Sequence, residues 1–324
     1  MTSLMERMEI ASLCVDTCLG IKEGEKVLVL ADKEHLEYGE ALNAAANLLG
    51  AETAITVLPD PKNYEMEPSE MVVAAMNAAD VLIVVLSELA QNQFAHSIAR
   101  KEATEKGVRY GGYRILPPGS RLTREDLLET GERVLRLIDR LTSADSARLT
   151  TALGTQVTMS LKGRKGFGVS PICTKWEPGR WAGLPNFADA HIAPVEGTGE
   201  GVAIIDGMVN WIGFVREPLR ITIEKGRITD VSGGADAERL RAILDQGDEN
   251  ATNFAELGMG TVANALPVGS NLDKRLLGTA HIGLGDNSVL TGKVRSNMHM
   301  DALMYGATVE LDGEPIVKEG KFLA

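Results

Sequence analysis

The run Asp80-Val81-Leu82-Ile83-Val84-Val85-Leu86 is the most apolar strand-like segment of the chain. A similar run, Val27 to Asp32, comes earlier, and His35 to Leu49, which has helical apolar spacing, follows it. Continuous apolar strands that alternate with helices are typical of a parallel sheet covered by helices. We therefore predict an α/β N-terminal domain with a mostly parallel sheet over residues 1–145. The same patterns predict further helices over 1–19, 68–79, 94–106 and 123–142, and further strands over 54–58 and 108–112.

The second half of the chain is richer in Gly and Thr, and it has fewer segments with helical spacing. Leu219 to Glu224 alternates apolar and polar residues, Lys225-Gly226 turns the chain, and Arg227 to Val231 returns, which predicts a β-hairpin. A helix is predicted over Ala235 to Leu244. We therefore predict an α+β metal-binding catalytic domain with a largely antiparallel sheet over residues 146–324.

Composition and charge exclude several classes of protein. The net charge is -12 and no basic patch is visible in the sequence, which argues against a nucleic-acid partner. The three cysteines form no C-x-x-C pair, so neither a disulfide framework nor a thiolate zinc site is predicted. The N-terminus has no apolar signal region, and no apolar run reaches about 18 residues. We expect a cytoplasmic protein without a membrane partner.

Histidine and carboxylate residues near the C-terminus have the spacing of metal ligands. His299 and Asp301 are two residues apart, so on a strand both side chains leave from the same face. Glu256 and His281 add two more ligand types from nearby Gly-rich segments. A buried structural role explains any one of these residues taken alone. Together they favour a site for a divalent transition metal, because imidazole and carboxylate both suit such ions.

Three of these segments resemble the metal-binding segments of the aminopeptidase T/aminopeptidase S metallopeptidases. They are Glu256-Leu257-Gly258-Met259-Gly260, His281-Ile282-Gly283-Leu284-Gly285 and His299-Met300-Asp301. The run from Asp189 to Gly197 is similar to another segment of that family, with Asp189 where the family has Glu. The resemblance implies a two-domain fold, a homodimer, and metal ligands at Asp189, Glu256, His281, His299 and Asp301. Ser288 stands where those peptidases carry a catalytic tyrosine.

Other segments resemble 2,5-dihydroxypyridine 5,6-dioxygenase, a mononuclear iron enzyme of the same fold. The run Glu177-Pro178-Gly179-Arg180-Trp181 is similar to a segment that carries a substrate-contacting glutamate there, and His96-Ser97 resembles its N-terminal histidine segment. This resemblance implies iron held by two His and one Asp. One of those histidines falls at Glu256 in this chain, and His281 has no counterpart.

We therefore predict a metal-dependent hydrolase that cleaves an amide or other C–N bond in a small substrate. One or two ions of Zn, Mn or Co per chain would activate the attacking water. Glu177 or Glu196 is the candidate general base, and His191 or His96 is the candidate oxyanion or substrate ligand. The absent tyrosine predicts weak activity on ordinary aminoacyl substrates, because one such donor is worth about 10²–10³ in rate.

Alternatives remain open from the sequence. The alternatives to the hydrolase are an Fe(II) ring-cleaving dioxygenase, an ordinary leucyl aminopeptidase, and a non-catalytic metal or small-molecule binder. Arg180 and Trp181 suit a planar carboxylated ligand, through a bidentate ion pair and ring stacking, with His96 as a further substrate contact. An equally simple interpretation is an arginine stacked on a buried tryptophan at the junction between the domains.

Overall fold

The computed structural model describes residues 3–59, 67–95, 97–173, 181–263 and 265–323. The chain divides into two compact units. The first comprises Met1–Gly131 and Val169–Phe187, and the second comprises Glu132–Gly168 and Ala188–Ala324. The chain thus returns to the first unit after leaving it, whereas the sequence predicted a single boundary at residue 145.

The helices and strands alternate in the first half of the chain, and strands dominate the second half. In chain order they are α1 (Leu4–Ser12), β1 (Lys26–Asp32), α2 (Leu36–Leu48), β2 (Glu52–Leu58), α3 (Glu70–Ala78), β3 (Val81–Val85), α4 (Glu88–Ala95), α5 (Ile98–Glu105), β4 (Arg109–Tyr113), α6 (Arg124–Ser143), β5 (Ser146–Thr150), β6 (Gln156–Ser160), β7 (Phe167–Val169), β8 (Trp181–Leu184), β9 (Asp189–Ile192), β10 (Glu200–Ile205), β11 (Met208–Val209), β12 (Gly213–Phe214), β13 (Leu219–Glu224), β14 (Arg227–Ser232), α7 (Gly234–Leu244), β15 (Phe254–Gly260), β16 (Ala280–Gly285), β17 (His299–Met304), β18 (Thr308–Leu311), β19 (Glu314–Lys318) and β20 (Lys321–Phe322). A π-helical turn over Leu13–Cys18 continues α1, and 3₁₀ turns cover Asn271–Arg275 and Ser288–Leu290. None of the helices in the described ranges is both long and apolar enough to cross a membrane.

The first unit is built on a parallel sheet with strand order β2-β1-β3-β4-β8. Successive residues of β1 belong to different core clusters. Val29 packs in a cluster with Leu42 of α2, whereas Leu30 packs in another with Met76 of α3. Both faces of the sheet are therefore buried under helices, which explains the continuous apolar runs and confirms the predicted parallel sheet.

Two details of the first unit differ from the prediction. The helix predicted over 94–106 is two helices, because the Ser97 side chain accepts the Arg100 N–H and caps the start of α5. The fifth parallel strand, β8, was not predicted. It has four residues and pairs with β4, with Tyr110 opposite Trp181, so its assignment to the sheet depends on a contact distant in sequence.

The second unit contains an eight-stranded sheet with order β14-β13-β10-β6-β5-β18-β19-β20 and a seven-stranded sheet with order β12-β11-β17-β16-β15-β9-β7. The predicted hairpin is present as β13 and β14, and α7 follows it. The strands pair antiparallel throughout the eight-stranded sheet and from β12 to β9 in the other, which confirms the predicted antiparallel character of this half. The adjacent strands β9, β15, β16 and β17 carry all the metal ligands that the sequence suggested.

Candidate metal centre

The candidate ligands lie on four neighbouring antiparallel strands of the second unit. These are Asp189 on β9, Glu256 on β15, His281 on β16, and His299 and Asp301 on β17. All are buried or nearly so, with Asp189 and Asp301 each 1% exposed and His281 fully buried. The antiparallel register therefore collects, within one sheet, residues that are far apart in sequence.

Glycines lie directly across the strands from these ligands. Gly283 pairs with Glu256 on one side and with Asp301 on the other, and Gly258 pairs with His281. A Cβ built on Gly283 would lie 2.5 Å from Glu256 Cβ, and one built on Gly258 would overlap the His281 ring. The Gly-rich texture of these segments therefore leaves space for the ligand side chains, because any other residue at these positions would fill it.

Glu256, His299 and Asp301 form a compact group of potential ligands. One ligand atom from each lies within 4.8 Å of the others. His299 Nε2 is 3.1 Å from Glu256 Oε2 and 3.2 Å from Asp301 Oδ1. The other ring nitrogen, Nδ1, donates to the Asp286 carbonyl oxygen at 2.7 Å. This hydrogen bond holds the Nδ1–H tautomer in the neutral ring, so Nε2 keeps a lone pair for a metal.

A second group of polar side chains surrounds the other carboxylate oxygen of Glu256, Oε1. His281 Nε2 is 3.0 Å from Glu256 Oε1, and His191 Nδ1 is 3.6 Å from the same atom. His191 Nδ1 is also 3.4 Å from Asp189 Oδ1. Within the described part of the chain, Asp189 Oδ1, His281 Nδ1 and both ring nitrogens of His191 make no hydrogen bond. Buried polar atoms normally have partners, so this donor set fits a bound ion or substrate.

Lys274 is a part of the site that the sequence did not indicate. Its ammonium donates to Asp301 Oδ2 at 2.7 Å and lies 3.8 Å from Asp189 Oδ2. The Asn210 amide also donates to Asp301 Oδ2, at 3.4 Å. Lys274 lies in the 3₁₀ turn Asn271–Arg275, where the sequence Asp-Lys-Arg resembles an ordinary solvated surface. Neither its spacing nor its neighbours distinguish it from a surface lysine.

The carboxylates of the centre are held in their charged form. Burial by itself raises the pKa of Glu256, but the charge of His191 and hydrogen bonds with His281 and His299 outweigh it and hold the pKa well below its usual value. Burial has the same effect on Asp301, and the Lys274 ammonium reverses it, so the pKa of Asp301 is lowered. Burial lowers the pKa of His299, but Asp301 and Glu256 outweigh burial and raise the pKa well above its usual value, so a bound metal would displace the Nε2 proton. At neutral pH both carboxylates are therefore anionic, as carboxylate metal ligands are.

The remaining predicted site residues belong to the first unit, to a separate network of the second unit, or to the part of the chain outside the described ranges. Trp181 is in the first unit, where the Arg100 guanidinium lies 4.3 Å from its ring centroid. Glu196, a candidate base, is an acceptor for Arg164, for the Asn287 amide and for the Lys293 N–H, so its oxygens serve a structural network. His96, Glu177 and Arg180 lie outside the described residues.

Comparison with known proteins identifies the family. Residues 12–324 match the model of the family described as 2,5-dihydroxypyridine 5,6-dioxygenase, NicX. This chain belongs to that family. The chain is 25% identical over 236 residues to the 2,5-dihydroxypyridine 5,6-dioxygenase of Pseudomonas putida, which covers 62% of this chain and 67% of that protein.

Two solved structures share the fold of this member of the dioxygenase family. The structure of 2,5-dihydroxypyridine dioxygenase from Pseudomonas putida KT2440 superposes with a TM-score of 0.79 at 22% identity and covers 100% of this chain and 99% of that one. Wild-type AmpT from Thermus thermophilus superposes with a TM-score of 0.69 at 18% identity and covers 99% and 100%. The aminopeptidase T resemblance is therefore supported at the level of the fold, whereas the family is the one that the sequence analysis ranked second.

Family membership bears on the functional predictions in the same way. It supports an enzyme with a small-molecule substrate, and it favours the dioxygenase alternative over the hydrolase that the sequence analysis ranked first. Neither hydrolase nor leucyl aminopeptidase activity is confirmed. A divalent-metal cofactor, Fe(II) in the dioxygenase case, agrees both with the family and with the group formed by Glu256, His299 and Asp301.

Proposed function

We propose that this chain is a metal-dependent dioxygenase that opens the ring of a small hydroxylated nitrogen heterocycle, with Glu256, His299 and Asp301 as ligands of one Fe(II) ion. The observation that carries the proposal is the grouping of three ligand atoms within 4.8 Å. Family membership over residues 12–324 supports the reaction class. Three protein ligands leave coordination positions open, as non-haem Fe(II) oxygenases require.

The donor set fits a ferrous ion although it departs from two His and one Asp. Glu256 stands where the resemblance implies a histidine, and it brings one extra negative charge. The Lys274 ammonium on Asp301 offsets that charge, so the group has the net charge of a two-His-one-carboxylate set. A bound Fe(II) supplies the redox chemistry through which an aromatic ring reacts with dioxygen. Both oxygen atoms of one O₂ enter the product, so no external reductant is consumed.

We assign proton transfer to His191. Its ring is buried, and the ring centroid lies 5.2 Å from that of Phe167. Neither ring nitrogen makes a hydrogen bond within the described residues. Burial lowers the pKa of His191, but the nearby Glu256 and Asp189 carboxylates outweigh burial and hold the pKa above its usual value. The imidazole can therefore hold a proton near neutral pH and exchange it with a substrate hydroxyl at either nitrogen.

A metal-dependent hydrolase of a small amide or other C–N compound is the second candidate. The observation that favours it is the second polar group around Glu256 Oε1, where Asp189, His191 and His281 add potential ligands. With these residues the centre has the carboxylate-rich ligand set of a two-metal hydrolase. The likeness to AmpT supports this candidate only through the shared fold.

Oxygen consumption distinguishes the two candidates. Protein purified without oxygen, loaded with Fe(II) and given 2,5-dihydroxypyridine and related hydroxypyridines should consume oxygen in proportion to substrate, as followed with an oxygen electrode. His299→Ala should abolish this uptake, and Lys162→Met, which changes an exposed residue of the same unit, should leave it intact. Release of ammonia or amine from small amides, with no oxygen uptake on any hydroxypyridine, would replace the proposal with the hydrolase.

A further inference from the structure

We infer that the Lys274 ammonium occupies the position that a second metal cation would need, so that this centre holds one divalent ion per chain. The inference rests on the proposed metal centre at Glu256, His299 and Asp301. According to this inference, Lys274 determines whether the site binds one metal ion or two. The carboxylate-rich ligand set would otherwise suit two ions.

Asp301 presents its two oxygens to different groups, as a carboxylate that bridges two cations does. Its Oδ1 faces His299 Nε2 at 3.2 Å, on the side where the metal ligands meet. Its Oδ2 accepts a hydrogen bond from Lys274 Nζ at 2.7 Å. In two-metal sites the ions lie about 3.5–4 Å apart and share such bridging groups. Lys274 Nζ is also 3.8 Å from Asp189 Oδ2, so it reaches the two carboxylates that a second ion on this side would bind.

The charge balance of the buried centre leads to the same conclusion. Three carboxylates, Asp189, Glu256 and Asp301, are each at most 3% exposed, and Lys274 is 9% exposed. Together they leave two negative charges, which a single divalent ion balances while the neighbouring His191 ring is neutral. A second divalent ion would leave a net positive charge of two in a site with little water, and uncompensated buried charge is costly. Without the ammonium, the three carboxylates would instead attract a second ion.

Metal stoichiometry tests the inference without reference to activity. Metal-free protein is equilibrated with excess Mn(II), freed of unbound metal by gel filtration, and analysed by elemental mass spectrometry and EPR. Wild type and Lys162→Met should retain about one Mn(II) per chain with the hyperfine pattern of an isolated ion. Two variants should retain about two ions with a spin-coupled signal. Lys274→Met keeps a side chain of similar length but removes the charge, and Lys274→Ala also frees the space that the side chain occupies.

The outcomes separate this inference from the proposed centre. Two ions in wild type, or one ion in folded Lys274→Met and Lys274→Ala, would overturn the role of Lys274 and leave the metal centre standing. No retained Mn(II) in wild type would overturn the centre itself, and the inference with it. Because the wild-type stoichiometry alone can contradict the inference, it remains testable even if both variants fail to fold.

Discussion

Replacing Gly283 with alanine should damage the metal centre from within the sheet. Gly283 lies between Glu256 and Asp301 in the register of β15, β16 and β17. An added Cβ would lie 2.5 Å from Glu256 Cβ and 3.1 Å from His299 Cε1. Carbon atoms in contact normally sit about 3.5–4.0 Å apart, so the Glu256 side chain must move by about 1 Å. Functional constellations tolerate displacements of only about 0.5 Å.

The expected result of Gly283→Ala is weaker metal binding in a folded protein. Changes to residues that merely orient metal ligands cost about 10–100-fold in affinity, and this substitution displaces two ligands directly, so we expect at least that loss. Overpacking should also destabilise the metal-free protein, by about 1–3 kcal/mol. The assay is calorimetric titration of metal-free protein with Mn(II), with a thermal melt of the same sample to show that it is folded.

Gly258→Ala is the matched control for this experiment. It makes the same chemical change on the adjacent strand, but its Cβ overlaps the ring of His281 and not a member of the Glu256, His299 and Asp301 group. If that group holds the metal, the control loses less affinity than Gly283→Ala. A folded Gly283→Ala protein with wild-type affinity would refute the ligand assignment. Equal losses in the two variants would show that the centre also depends on His281, either as a ligand or through its contact with Glu256 Oε1 at 3.0 Å.

Three further expectations concern other residues of the second unit. Asp189→Asn should keep about one Mn(II) per chain with affinity lowered by roughly 10-fold or less, whereas a two-metal centre would lose one of its ions; metal analysis separates these results. His191→Gln should lower kcat by on the order of 10²-fold or more while metal content stays unchanged, and unchanged kcat would exclude it as the proton carrier. Hydrogen bonds from Arg216 lower the pKa of Asp236 to about 2. A lowered carboxylate pKa stabilises the fold above the unfolded-state value of about 3.9 and loses that effect as pH falls towards 2. Asp236→Asn should therefore lower the melting temperature at pH 7, and the gap to wild type should shrink below about pH 4.

The fold of the first unit was predictable because its evidence is local. The runs at Val27 to Asp32 and Val81 to Leu86 are buried on both faces. A strand of this kind has apolar residues at consecutive positions, which can be recognised in the sequence. Strand β8 has no such signature. It is only four residues long, and it belongs to the sheet because Trp181 to Leu184 pair with Tyr110 to Tyr113. The spacing of apolar residues along the sequence gives no indication of this distant contact.

The candidate site was predictable in part for the same reason. His299 and Asp301 are two apart on a strand, and their side chains do point to one place, with Nε2 and Oδ1 3.2 Å apart. Lys274 could not be found in this way. It enters the site because its 3₁₀ turn is held beside the segment that follows β15, where Val262 and Leu276 form an isolated parallel bridge. A lysine between Asp273 and Arg275 has no local feature that indicates burial.

The glycines explain how one sheet can hold so many candidate ligands. Antiparallel pairs bring opposite Cβ atoms to about 4.5–5.5 Å, so a large side chain opposite a candidate ligand would contact it and compete for the same space. In this sheet Glu256 and Asp301 both face Gly283, and His191 and His281 both face Gly258. Each of these glycines therefore leaves space between two candidate ligands, and the ligand side chains extend into that space. Because this space depends on the backbone and not on which ligand fills it, a carboxylate at position 256 can occupy the place where the dioxygenase resemblance implies a histidine. The charge that this exchange adds is then balanced by Lys274, from a segment outside the sheet.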